Sequence, residues 1–155
     1  IAVLSSFASI KVGTPDREAA VASALKGALG EYIPDDQMMD KNPALGFVVM
    51  CVESKQPFDV KRMAAHLSDT IVRPIPVSDC TSKTVEGDFG MFAALTTFYD
   101  KSGDEAGHFE IAKVVCDNSS ECVVDIDWHG AGQRYFMRRT GPVWKVVSQR
   151  NRWVV

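Results

Sequence analysis

Asp125, Asp127 and His129 stand at alternate positions in the run Glu121 to Val146, ECVVDIDWHGAGQRYFMRRTGPVWKV. They are the side chains whose types and spacing best suit proton chemistry. Strands turn successive side chains to opposite faces, so the three share one face and Val124, Ile126 and Trp128 share the other. A carboxylate in an apolar pocket has its pKa raised toward the range of a general acid or base, and a nearby histidine can relay the proton. Arginines at Arg134 and Arg138 argue the other way, because an adjacent guanidinium keeps a carboxylate ionised.

Which of these meet depends on the turn at Gly130, Ala131 and Gly132, where glycine supplies the positive φ of a tight hairpin. A two- or four-residue loop sets Arg134 and Arg138 on the face of the two aspartates and leaves Val124, Ile126, Trp128, Tyr135 and Met137 as the apolar face. A three-residue loop exchanges every partner. Opposite charges favour the first register by roughly 0.2 to 1 kcal/mol per exposed pair. A second turn at Thr140, Gly141 and Pro142 leads into a strand in which Trp144 and Val146 alternate with Lys145 and Val147.

Other chemistries find less support. The chain has no Gly-x-Ser-x-Gly elbow, phosphate-binding loop or dinucleotide fingerprint. Asp100, Ser102 and Asp104 begin like a calcium loop, but Glu105 and Ile111 stand where glycine and a bidentate carboxylate belong. No Cys-x-x-Cys occurs and the histidines lack ligand spacing, so neither metal nor cofactor is expected. The four cysteines fit disulfides: Cys116 and Cys122 bracket a turn, which leaves Cys51 and Cys80 as a second pair. Four reduced thiols are the alternative. Asn118-Ser-Ser is a glycosylation sequon, meaningful only in a eukaryotic secretory setting.

With 17 basic and 20 acidic residues, net −3, the chain carries no electrostatic footprint for nucleic acid. Its late basic residues, Arg134, Arg138, Arg139, Lys145, Arg150 and Arg152, read as a solvated face. No apolar run is long enough to span a bilayer as a helix. At 155 residues one domain is expected, over 14–155, with 1–13 either the tail of a signal-peptide core or a first strand.

The elements that must position these groups can be read in order. Thr14-Pro15-Asp16 starts a helix, with Thr14 as cap and Val21, Leu25, Ala28, Leu29 and Tyr32 as its apolar face, ended by Pro34-Asp35-Asp36. Gly27 inside it suggests close packing or a frayed end. After a loop to Pro43, Leu45 to Glu53 reads as a buried strand, and Val60, Met63, Ala64 and Leu67 as a second short helix with His66 on its polar side. Ile71 to Val77 holds Pro74 and Pro76 and belongs at an edge or outside the sheet. A polar connection from Asp79 to about Gly90 precedes strands at Met91 to Tyr99 and His108 to Cys116. Strands grouped after helices indicate an α+β fold, two helices on a curved antiparallel sheet.

From Gly130 through Tyr135, Arg138, Gly141, Trp144-Lys145-Val146 and the closing Trp153-Val154-Val155, the last half of the chain resembles cystatin-like, nuclear-transport-factor-like domains. It is most similar to uncharacterised bacterial secreted proteins with an Asp-Cys like Asp79-Cys80 before the sheet. That resemblance implies one of two kinds of protein. Some members are small isomerases, dehydratases or cyclases using Asp and His beneath a roof of helices; here Asp125, Asp127 and His129 would be catalytic, with Arg134 or Tyr135 stabilising negative charge. Others bind partners or dimerise. The expectation adopted is a secreted or periplasmic, non-catalytic binding domain, monomeric or homodimeric. It would take a protein partner on the sheet or a small apolar ligand beneath the helices, with Arg134, Tyr135 and Trp128 as contacts. The isomerase-like enzyme is the alternative, and a structural subunit exposing Trp128 or Trp153 the third.

Overall fold

The computed structural model describes residues 15–32, 47–90 and 92–154. The expected Thr14 cap, the Pro34 to Asp36 stop, the loop to Pro43 and the segment 1–13 lie outside the described residues.

Helix α1 (Arg17–Tyr32) opens with Asp16 doing the capping, its carboxylate accepting from the Ala19 amide at 3.1 Å. Its alanines and leucines bury a continuous side: Ala20, Val21, Ala24, Leu25, Ala28 and Leu29 all lie in the core. Ser23 Oγ donates to the Trp144 carbonyl at 2.7 Å, and a Cβ built on Gly27 would stand 3.4 Å from Val146. Gly27 thus marks the crossing of α1 over the last strand. Helix α2 (Val60–Ala65) is capped by Asp59 and turns Val60 and Met63 inward.

Eight strands follow: β1 (Val48–Ser54), β2 (Val72–Pro76), β3 (Thr81–Phe89), β4 (Phe92–Tyr99), β5 (Glu105–Asn118), β6 (Glu121–Trp128), β7 (Ala131–Thr140) and β8 (Val143–Val154). The main path runs β2-β1-β5-β6-β7-β8, with β3 and β4 joined to it through β5. The antiparallel expectation is corrected here. Strands β5 to β8 form an antiparallel meander, but β1 runs parallel to both β2 and β5, so the sheet is mixed. The connection through α2 lets β1 and β2 lie side by side in the same direction, as parallel pairs require. Strand β2 with its two prolines is an edge, as expected. Past the end of β1, Gln56 continues the ladder with its side chain, giving to the Val114 carbonyl and accepting from its amide.

A second correction concerns 79–90. A short 3-10 turn (Val77–Asp79) is followed not by an irregular connection but by β3, which pairs with β4 from Thr81↔Tyr99 to Phe89↔Phe92. Among the described residues this hairpin pairs with β5 at Phe98↔Ala106 and Tyr99↔Glu105 and stacks Phe98 on His108, while Thr81 to Asp88 are all exposed. It is an arm none of whose described side chains is buried.

Both expected cysteine pairs are bonded. Cys116–Cys122 bridges directly opposed positions of β5 and β6, and Cys51–Cys80 ties β1 to the base of the arm. One apolar core fills the helix side of the sheet, built from α1, α2 and Phe109, Ile111, Val124, Ile126, Tyr135, Met137 and Trp144.

Candidate functional site on the open face of the sheet

The hairpin β6–β7 closes through a two-residue turn, His129-Gly130, with Gly130 at φ +89°. This gives the register Asp125↔Arg134 and Val124↔Tyr135, the arrangement that charge pairing favoured. Alternation then splits the strands. Cys122, Val124 and Ile126 with Tyr135 and Met137 face the helices, while Val123, Asp125 and Asp127 with Arg134, Phe136 and Arg138 face the other way.

This geometry places the candidate residues as follows. The aspartates do not look into a cavity roofed by helices: among the described residues that side is packed with apolar side chains. Tyr135 is fully buried there, its hydroxyl bonded to Gln133, so it is a core residue rather than a ligand contact. It points away from Arg134, its cross-face neighbour in sequence. His129 sits in the turn rather than in the strand alternation, but it lines one cleft together with Asp127.

The open face is a grid, because four antiparallel strands in register align their side chains in rows across the sheet. One row reads Lys113, Asp125, Arg134, Arg150. The next reads Val115, Val123, Phe136, Ser148, with Val147 bulged beside it, and a third reads Asn118, Glu121, Arg138, Lys145. On the other side of the first lies Glu110, Asp127, Gly132, Trp153.

Asp125 anchors the grid. It is only 1% exposed, and Arg134 grips it with two parallel bonds of 2.7 and 2.8 Å. Arg152 adds a contact at 3.4 Å. Burial alone would raise this carboxyl, but the Arg134 hydrogen bond and the charges of Arg152, Arg134 and Lys113 outweigh it and hold the pKa below its ordinary value. The same bond raises Arg134. Asp127 bonds to Arg152 and accepts from the Trp153 indole at 3.3 Å. Gly132 makes room for that contact: a Cβ there would collide with the indole nitrogen and the Asp127 carboxylate. Neither Arg152 nor Trp153 was legible as a partner, since two bulges between β7 and β8 shift the parity of the last strand.

Beside the grid, a cleft of about 560 Å³ opens between the arm, the start of β5 and the β6–β7 turn. Phe98, His108, Glu110, Asp127, Trp128 and His129 line it. His108 stacks on Phe98 at 4.0 Å and reaches Glu53 at 3.3 Å, while Lys55 holds Glu110 at 3.0 Å. Trp128 leans on Phe109 from the core side, its ring centroid 5.2 Å away. His108 and Glu110 escaped the sequence reading because the bulge at Ala112 breaks the alternation of β5.

Among the described residues no group of histidines, cysteines and carboxylates could hold a metal ion, and no helix is long and apolar enough to cross a membrane. No family model, curated protein or solved structure matches this chain.

Proposed function

We propose that this chain is an extracytoplasmic, non-catalytic binding domain that takes a protein partner on the open face of its sheet. The observation that carries the reading is the pairing of the candidate acids. Asp125 is held by Arg134 and Arg152, Asp127 by Arg152 and Trp153, and Glu110 by Lys55. A general acid or base needs a pKa near the working pH, whereas Asp125 is driven the other way. Among the described residues, the face around these pairs contains half-exposed Val115 and Val147 beside exposed Arg138, Lys145 and Arg150. Two disulfides fit an oxidising compartment, secreted or periplasmic. The cystatin-like resemblance is compatible with this use of the sheet.

A native mass spectrum of unreduced protein from its source tests the reading. A second polypeptide retained by the native chain, and lost when Phe136 and Val147 are changed to serine, is the expected result. A small molecule retained instead would overturn it.

The cleft beside the arm favours one other reading, an enzyme of the small isomerase or dehydratase kind using His108 or Asp127. Turnover lost in both His108→Gln and Asp127→Asn, with the fold intact, would establish it.

A further inference from the structure

Strands β7 and β8 hold no Asp or Glu in their 22 residues, yet contain Arg134, Arg138, Arg139, Lys145, Arg150 and Arg152. In a chain of net charge −3 this is a strong local excess. Register makes it sharper. Arg134 stands directly opposite Arg150, and Arg138 directly opposite Lys145. Like charges facing across adjacent strands are unfavourable, so a sheet does not gain by placing them so. Asp125 satisfies Arg134, and Glu121 reaches Arg138 at 3.5 Å between two exposed side chains. Among the described residues neither Lys145 nor Arg150 has a carboxylate partner. Arg150 lies instead over the Phe136 ring, at 5.4 Å from its centroid.

Between the two cation pairs the surface is concave, with an apolar β7–β8 side and an acidic wall of Asp117 and Glu121 toward β5–β6. Val123, Phe136 and Val147 line a depression of about 260 Å³, and Val147 is 55% exposed. Basic residues on an edge strand guard against sheet-to-sheet aggregation, which accounts for Lys145 and Arg150 on β8. Glu121 partners Arg138 on β7, which lies inside the sheet, but neither explanation covers the apolar side chains that the cations frame.

We infer that the β7–β8 half of the open face recognises an extended acidic segment of a protein partner, read as carboxylate, apolar, carboxylate at alternate residues. Arg134 and Arg138 are four residues apart, roughly 13 Å along a strand at about 3.3 Å per residue. An extended peptide lying along β7 presents residues i, i+2 and i+4 to the sheet at that same spacing. Its outer carboxylates would meet the Arg134/Arg150 and Arg138/Lys145 pairs, and its middle side chain would enter the depression over Phe136. Asp117 and Glu121 line the β5–β6 side of that depression and repel the same peptide from there, which sets it along β7–β8. This inference rests on the binding reading and names the partner chemistry for that site.

Fluorescence anisotropy with three labelled peptides, at physiological salt, tests it. Their cores are Glu-Thr-Leu-Thr-Glu, the slipped Glu-Leu-Thr-Thr-Glu of equal composition, and Lys-Thr-Leu-Thr-Lys. The expected result is saturable binding of the first, at least fivefold weaker binding of the second and none of the third. Lys145→Glu with Arg150→Glu, both exposed and so compatible with folding, should weaken the first peptide at least tenfold. Equal binding of both acidic peptides, or indifference to the charge reversals, would overturn the inference. So would binding of heparin or phosphatidylglycerol vesicles without the peptide, or self-association that covers the face. A photo-crosslinker at Val147 separates the two claims: partner products that persist while the acidic peptides fail to bind sink the acidic segment and leave the binding domain standing.

Discussion

The two hairpins β3–β4 and β6–β7 are built from strands of similar length but are held in different ways. In β6–β7, one face of each strand enters the core through Val124, Ile126, Tyr135 and Met137, and the other carries the Asp125–Arg134 pair. In β3–β4, Val85 and Leu95 are exposed, and the cross-strand hydrogen bond between the Thr84 and Thr96 hydroxyls at 2.9 Å is also at the surface. A two-stranded hairpin alone is marginal in water. The arm therefore depends on its two pairs with β5 and on the Cys51–Cys80 bridge at its base. The sheet body provides rigidity, whereas the arm provides reach beside the cleft.

The largest expected effect breaks that tether. Cys51→Ala with Cys80→Ala opens a loop with a sequence separation of 29, against 6 for Cys116–Cys122. Loop-closure entropy then predicts a loss of about 3.5 kcal/mol for the first pair and about 2 kcal/mol for the second. Urea unfolding of the two double variants checks the order, and a larger loss at Cys116–Cys122 would contradict it.

Next comes the hairpin's own anchor. Arg134→Ala leaves Asp125 buried with Arg152 and the charge of Lys113 as its remaining cations, and should cost about 2–3 kcal/mol, less than a fully buried pair because Arg134 is partly exposed. Arg150→Ala, on the same row but unpaired, should change stability by less than about 0.5 kcal/mol. Similar losses in the two would erase the distinction between anchor and free cation.

Acid should sharpen the same comparison. The folded-state pKa of Asp125 lies below its unfolded value, so its contribution is complete above about pH 4 and lost as pH falls through the folded value. The stability gap between the native chain and Asp125→Asn should thus shrink as pH drops below about 4, measured as urea midpoints. A gap that widens in acid would contradict the assignment. A small gain is expected at Gly27→Ala in α1, where a Cβ fits against Val146 and helix propensity should add about 0.5 to 1 kcal/mol, read as a raised urea midpoint.

The better-anchored hairpin was also the one readable from sequence, for the same physical reason. Its apolar residues alternate, its turn carries Gly130, and its charges choose a register, so three local signals agree. Thr81 to Phe89 offers none of them: a strand exposed on both faces has no apolar period to detect. The parallel neighbours of β1 were not legible because their pairing is set by contacts distant in sequence. Alternation alone already put Asp125 and Asp127 opposite the apolar face to which helices must dock. Arg152 and Trp153 were hidden by bulges that no local pattern marks.

The most direct measurement is site-specific photo-crosslinking in the source environment, with the reactive residue placed in turn at Val147 on the open face and at Lys61 on the exposed side of α2. The account predicts a discrete protein adduct from Val147 that is absent from Lys61 and competed by the unlabelled domain. Adducts from Lys61 alone, or none from Val147 while a small molecule co-purifies, would contradict a partner-binding sheet.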